Sequence, residues 1–418
     1  MKKPKYFIAC VMLILFVIGI SGCGADDPPA EPVTISFVVR DYEADYFAPL
    51  VEEFMAANPE ITVEITSPQG NNFQAYAQSY AQADVAGVDL FTFSQFQSQG
   101  NFLDLTPLIE QDKEFDFSDF FPGTVDLFSA EDKIWAIPSG VDTYVMYYNK
   151  TLFDQNGLEY PSSGWTWDDM FTAAYAIRNG GSGDQYGYAV PEGYEDLNAM
   201  ILMTQHGGQL FNDLSNPSEV TFNHPLNVEA MQWYQDLYYD YNVAPTPDQA
   251  SASFGFGDQM IYRGVLQGDV GIWPGNFSDH GGYTWPVDWA NLKWGIVALP
   301  RDVNAATSGL GTGFAISART ESPDAAWKWV AFLSEQIPQN LIPARRSLAE
   351  SKEFQDRVGA EVADAALISM QNVTLISPDL LQFQDALENF SQAVIDISHG
   401  TASAQEALDW AQDQSQLP

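Results

Sequence analysis

A chain of 418 residues with 56 acidic and only 17 basic side chains, a formal charge of −39, would repel nucleic acid, anionic lipid and polyanionic ligands. With 46% hydrophobic and 14% aromatic residues it is still well supplied for a core, and it is longer than one core usually serves, so two lobes are expected. The 11 Trp and 19 Tyr belong mostly to those cores, although aromatic rings are also the surfaces on which flat sugar faces stack.

At the N-terminus, Lys2, Lys3 and Lys5 precede an uncharged apolar run over 6–20 and then Ser21-Gly22-Cys23, the order of an export signal. The run is too short to cross a ~30 Å hydrocarbon core comfortably, so residues 1–22 read as a cleaved signal rather than a permanent span. Ile20-Ser21-Gly22-Cys23 resembles the bacterial lipobox, which implies that Cys23 is diacylated and becomes the new N-terminus. Cys10 would leave with the signal, so the mature chain would keep no pair of cysteines for a disulfide. Residues 23–32, with Asp26, Asp27, Pro28, Pro29 and Pro32, lack apolar periodicity and read as a flexible tether to the membrane surface.

From residue 33 the pattern is α/β. Residues 33–39 form a β-rich run, the spacing of Phe47, Leu50, Val51 and Phe54 predicts a helix that Asn58-Pro59 ends, and 61–65 alternates as a second strand. A second helix over 73–83 and a third strand over 88–93 follow. Strand and helix in alternation imply a largely parallel sheet with helices on its faces. Residues 134–138 and 143–148 read as two β-rich runs broken at Ser139-Gly140-Val141-Asp142, a break that suits a crossing between lobes. Thr166, with Asp169 three residues on, gives a capping-box start to a helix through Ile177. Strands over 186–190, 268–273, 294–300 and 313–317 and helices over 197–205, 228–239 and 323–333 continue the pattern. Two amphipathic helices within 378–410, joined at Ser398-His399-Gly400, close it.

The 4 histidines are scattered, at 206, 224, 280 and 399, and no His-Glu-x-x-His or Cys-x-x-Cys spacing is present, so neither metal nor cofactor is expected. No nucleophile elbow or phosphate-cradling lysine loop occurs, and Gly309-Leu310-Gly311-Thr312-Gly313 misses the dinucleotide spacing. Those glycines read as a tight turn or as backbone open to a ligand. Residues 112–116 resemble the start of a calcium loop, but Phe117 stands where the sharp turn needs Gly. Carboxylates are so many that a glycan-cleaving pair carries little information. A sugar site needs aromatic surface with donors and acceptors for hydroxyls taken out of water, on loops leaving strand C-termini.

Several stretches stand in one collinear order: Asp89-Leu90-Phe91, Leu103-Asp104-Leu105-Thr106-Pro107-Leu108, Ala136-Ile137-Pro138, Tyr147-Tyr148-Asn149-Lys150-Thr151-Leu152-Phe153, Trp165-Thr166-Trp167-Asp168-Asp169, and Pro323-Asp324-Ala325-Ala326-Trp327. That order resembles the extracellular solute-binding protein family 1, which includes the maltose-binding-protein-like lipoproteins of ABC importers. The resemblance implies an α/β, two-lobe periplasmic-binding-protein-like fold of type II. It would have mixed, mostly parallel sheets, helices on both faces and three interlobe crossings. Lobe 1 would be 33–141 and 300–339, and lobe 2 142–299 and 340–418. The implied function is capture of a carbohydrate between the lobes and delivery to ABC permease transmembrane subunits, by a protein lipid-anchored outside the cytoplasm and acting as a monomer. A secreted glycan-cleaving enzyme using a carboxylate pair and a surface adhesin are the alternatives. The ligand-binding positions it implies are Asp41, Tyr42, Phe93, Gln95, Asp142, Tyr144, Glu192 and Tyr194, with Gly311, Thr312 and Arg345 as further contacts. The family's stacking Trp after the Gly-Asp-Val strand is altered to Trp273-Pro274-Gly275-Asn276-Phe277, so the stacking ring is either Trp273 or Phe277, with Asn276 beside it.

Overall fold

The structure is a computed structural model that describes residues 32–68, 79–80, 82–181, 183–212, 218–282, 289–375 and 383–415. The expected signal, Cys23, most of the tether and most of the helix expected over 73–83 lie outside them. The chain forms a mixed α/β molecule of two lobes.

The strands are β1 Val33–Val38, β2 Ile61–Thr66, β3 Val85–Asp89, β4 Ser129–Ala130, β5 Lys133–Ile134, β6 Ala136–Asn149, β7 Tyr186–Tyr188, β8 Val270–Asn276, β9 Trp294–Val297, β10 Thr307–Ile316, β11 Ile342–Pro343 and β12 Val373–Leu375. Their main path runs β2-β1-β3-β10-β6-β8-β7, with β9 and β11 also on β6 and β12 on β10. Parallel pairing holds for β1 with β2 and β3, and for β7 with β8. The long strands introduce the antiparallel pairs: β10 with β3 and β6, and β6 with β8, β9 and β11.

The break expected at Ser139–Asp142 is absent, because those residues lie inside the 14-residue strand β6. Residues 136–138 and 140–143 of β6 pair with β10, the register shifting past Ser139, whereas Tyr144 to Asn149 pair with β8 and β9. The crossing is therefore an unbroken strand that changes partner at its middle. Around its first half, Ile35, Phe37, Phe54, Trp329 and Phe314 pack on one face of the sheet and Val38, Phe93, Phe128 and Ala315 on the other. Around its second half the alternation of a strand sends Met146 and Tyr148 to a core with Tyr188 and Ile272, and Val145 and Tyr147 to a core with Trp273 and Trp289.

Local signals explain most element ends. The first helix, Ala44–Ala57, buries Phe47, Val51 and Phe54 and stops at Asn58, whose Nδ2 donates to Phe54 O at 3.0 Å. Thr166 caps Trp167–Gly180 in a reciprocal capping box with Asp169. Gly400, at φ 66°, ends Gln384–His399 in the left-handed region that glycine tolerates. The expected strand over 88–93 is corrected: β3 stops at Asp89, whose carboxylate accepts from Thr92 N at 2.8 Å and starts a helix, Leu90–Gln97. The alternating glycines at 309–313 form no turn; they lie within β10, where a Cβ on Gly313 would meet Ile137 O at 2.7 Å and one on Gly311 Leu127 Cδ1 at 2.4 Å.

A close helix-to-strand approach offers a test of this packing. A Cβ on Gly187 in β7 would lie 1.9 Å from Ala174 O of Trp167–Gly180, whereas one on Gly183 meets nothing within 4 Å. Gly187→Ala is expected to lower unfolding free energy by about 1–3 kcal/mol or more, and Gly183→Ala to stay within about 0.5 kcal/mol of the parent in urea denaturation.

Candidate functional site

Along β6 only Ser139 and Asp142 are not buried, and both open into a cavity of about 430 Å³. Its wall takes Arg40, Tyr42 and Glu43 from beyond β1, Gly87 to Asp89 from the end of β3, Leu310 to Phe314 from β10, and Gln336, Gln339 and Asn340 from the segment leading to β11. From the end of β8 and the turn after it come Asn276 and Ser278.

On the second side, one turn fixes the polar groups. Gly275 lets β8 pass over Tyr147, since a Cβ there would lie 3.1 Å from the ring. The chain then bends back, and the Asp279 carboxylate accepts from Asn276 N at 3.0 Å and from Tyr194 Oη at 2.7 Å. Tyr147 Oη donates to Asn276 O at 2.7 Å. With the turn held, Ser278 reaches β6, where its N–H donates to Asp142 Oδ1 at 2.9 Å and its hydroxyl to Oδ2 at 2.7 Å. Burial pushes the Asp142 carboxyl up to about 7; the two Ser278 hydrogen bonds oppose the rise and the neighbouring Asp279 charge adds to it.

On the first side, Arg40 is the only cation among the lining residues, and it is ion-paired with Asp89. Its Nη1 donates to Tyr42 Oη at 2.9 Å, which orients that ring at the cavity edge. Its own N–H donates to Glu43 at 2.9 Å. Ser139 and Thr312 hydroxyls share a hydrogen bond of 2.9 Å across β6 and β10. The wall is thus rich in hydrogen-bonding groups, carries more acid than base, and leaves no unpaired cation for an anionic guest.

Of the residues anticipated from sequence, Tyr42, Asp142, Asn276, Gly311 and Thr312 line this cavity. Asp41 is exposed beside it. Tyr144 and Tyr194 lie one layer behind, ring centroids 5.5 Å apart. The others are placed elsewhere. Phe93 is buried against Phe102 and Phe128 because its segment is helical, and the same helix leaves Gln95 exposed. Glu192 accepts from Ile261 N at 3.0 Å and so holds the start of the helix Met260–Gln267. Trp273 is stacked on Tyr147 at 5.9 Å in the core, and Phe277 is fully buried, so neither candidate ring faces the cavity. Arg345 is buried between Phe115 and Phe120, donating to Ser334 O at 3.0 Å and Asp116 O at 2.8 Å. Arg40, Asp89, Ser139 and Ser278 were not anticipated; only the position of Arg40 and Asp89 at strand ends marked them. Among the described residues no group of three or more His, Cys, Asp or Glu could hold a metal ion.

A family model described as bacterial extracellular solute-binding protein matches residues 40–339. An arabinooligosaccharide-binding protein of Bacillus subtilis (strain 168) is 24% identical over 386 residues, 85% of this chain and 84% of that protein. The ABC substrate-binding protein of Listeria monocytogenes in complex with cycloalternan superposes with a TM-score of 0.71 at 24% identity, over 92% of this chain and 98% of that one. The sugar-binding protein MalE of Xanthomonas citri does so with a TM-score of 0.74 at 19% identity, over 91% and 96%. These likenesses establish a shared fold.

The Asp142 environment predicts a pH effect. An acid whose folded value lies above its unfolded ~3.9 leaves stability intact below that value and reduces it as pH rises through about 7. Asp142→Asn, which stays neutral, is expected to gain stability relative to the parent between pH 5 and 8, by on the order of 1 kcal/mol or more. Parallel stability profiles in denaturant titrations at those pH values would contradict this.

Proposed function

The chain belongs to the bacterial extracellular solute-binding protein family, and on that premise we propose that it captures a carbohydrate between its lobes and presents it to the transmembrane subunits of an ABC importer. The observation that carries this reading is the wall of the 430 Å³ cavity, where Asn276 and Ser278 of one half face Tyr42, Thr312 and Gln339 of the other around Asp142. The volume falls within the usual range for small-molecule sites. Uncharged amides and hydroxyls beside a carboxylate satisfy sugar hydroxyls as acceptors and donors, and an aromatic edge offers a face for C–H groups. The arabinooligosaccharide-binding relative and the cycloalternan-bound structure support a saccharide as the guest. The surplus acid on the wall disfavours a phosphorylated one.

In this reading the lobes comprise 33–141 with 300–339 and 142–299 with 340–418, and closure is stabilised because a guest touches both at once. Family membership places the protein outside the cytoplasm. Anchoring through lipid on Cys23, with the protein working as a monomer beside its permease, completes the proposal. No step of bond cleavage is assigned; the protein binds and releases.

A panel of neutral mono- and oligosaccharides, followed by thermal melting and tryptophan fluorescence, is expected to give at least one ligand that raises the melting temperature. Asn276→Ala and Asp142→Ala should each weaken it about tenfold or more, the loss expected for a hydrogen bond involving a buried or charged partner. Gln95→Ala, on an exposed helix face, should leave it unchanged. A panel without a single ligand, or a ligand indifferent to both cavity substitutions, would overturn the assignment.

A further inference from the structure

After β9 the chain passes between the halves of the molecule a second time. β9 pairs with the second half of β6 and β10 with its first half, so residues 298–306 carry the chain from one to the other. Val303, Asn304 and Ala305 are exposed, so the middle of this segment is not anchored by burial. It is held by hydrogen bonds near the surface, an arrangement that opens locally at low cost. Arg301 N donates to Trp165 O at 3.0 Å, and Trp167 N to Arg301 O at 3.1 Å. Asn304 N donates to Gln205 O at 2.9 Å, and Gln205 Nε2 to Ala306 O at 2.6 Å.

His206 adds an ionic tie. It follows the last turn of the helix Glu195–Gln205. Its Nδ1 lies 2.5 Å from Asp302 Oδ2 on the crossing, and its Nε2 lies 3.4 Å from Glu229 Oε2 on the helix Pro225–Tyr239. These two carboxylates are the charged groups that face the ring from the elements packed against it. Arg301, beside Asp302, acts instead on Asp169 at the start of Trp167–Gly180. The acids of His206's own helix, Glu195 and Asp196, stand at its far end, and the near end presents carbonyls whose partial negative charge favours a cation. A neutral imidazole has one N–H and one lone pair, whereas an ionised carboxylate only accepts, so both contacts are satisfied together only by the imidazolium. Burial lowers the His206 value, but the hydrogen bonds and charges of Asp302 and Glu229 outweigh it and hold the ring above its ordinary ~6.5.

We propose that His206 is a proton-operated latch that holds the second crossing to the end of the helix Glu195–Gln205 and loosens it when the proton leaves. The neutral ring can donate to one carboxylate only, and that bond loses its charge assistance. A raised folded value gives the sign: the contribution of the latch is complete below about 6.5 and is lost as pH rises through the folded value. The crossing runs directly into β10, whose Gly311 and Thr312 line the cavity, so the latch acts on a strand that forms part of the cavity wall. Family membership places the protein outside the cytoplasm, where pH follows the surroundings and a histidine serves as a sensor. The latch does not depend on the identity of the guest.

Hydrogen–deuterium exchange of the intact protein between about pH 5.5 and 8.5, corrected for the intrinsic pH dependence of amide exchange, tests this alongside NMR titration of the histidine rings. Protection of residues 301–306 is expected to fall about fivefold or more as His206 loses its proton, while β8 stays protected. Glu229→Gln should move both the His206 titration and the fall in protection to lower pH, and His206→Gln should leave protection of the crossing independent of pH. Protection of 301–306 that does not change with pH, that falls in step with β8, or that keeps its midpoint in Glu229→Gln would each overturn the latch. A His206 ring that titrates at or below its ordinary ~6.5 would do the same.

Discussion

One extended strand belongs to both halves of the molecule, and the rest of the architecture follows from satisfying its backbone. β6 hydrogen-bonds to β10 along its first part and to β8 and β9 along its second. A buried strand cannot leave its N–H and C=O groups unpaired, so each half must supply partners up to the point of exchange. Partners from the two halves diverge there, and the cavity opens beside the change of partner. Ser139 and Asp142 look into that cavity because they are the two positions of the strand that neither core covers.

That position has electrostatic consequences. A carboxylate at the junction is partly stripped of water and is held by a serine of the turn after β8, so Asp142 couples the crossing strand to that turn. The same turn is anchored by Asp279 to Tyr194. Arg40 on the near side is committed to Asp89. In a chain of −39 formal charge, a neutral polar guest meets this wall without a desolvated charge to compensate, whereas an anion would have to displace an existing partner.

Much of the fold was legible in the sequence. Thr166, Asn58 and Gly400 announce helix ends by chemistry that acts within a few residues, so tertiary context has little to alter. The strand-to-helix change at Asp89 was hidden by the aromatic run after it, whose β propensity yields to the Asp89 cap and to burial of Phe93 and Phe96. Ser139-Gly140-Val141-Asp142 reads as a break, yet β6 continues because β10 pairs on both sides of a register shift at Ser139 and β11 approaches where Gly140 has no side chain to obstruct Leu341. The resemblance led to strand ends that border the cavity, whereas several of the side chains it implied lie in the core. Trp273 and Phe277 were attractive as large rings near the opening, but the alternation of β8 turns Trp273 onto Tyr147, and the turn buries Phe277. Arg345 was attractive as a guanidinium able to make paired bonds to hydroxyls, and its neighbours Phe115, Phe120 and Ser334 claim it for the core. Ser139 and Ser278 gave no signal, since a serine becomes a site residue only through the pairing that brings it opposite a carboxylate.

The central claim is that a sugar held by both halves draws them together about the middle of β6. Small-angle X-ray scattering of the full protein, with and without a saturating saccharide that binds it, measures this most directly. The account requires a smaller radius of gyration in the bound sample, fitted by rotation of one lobe against the other. A bound sample with the same scattering curve as the free protein would contradict it.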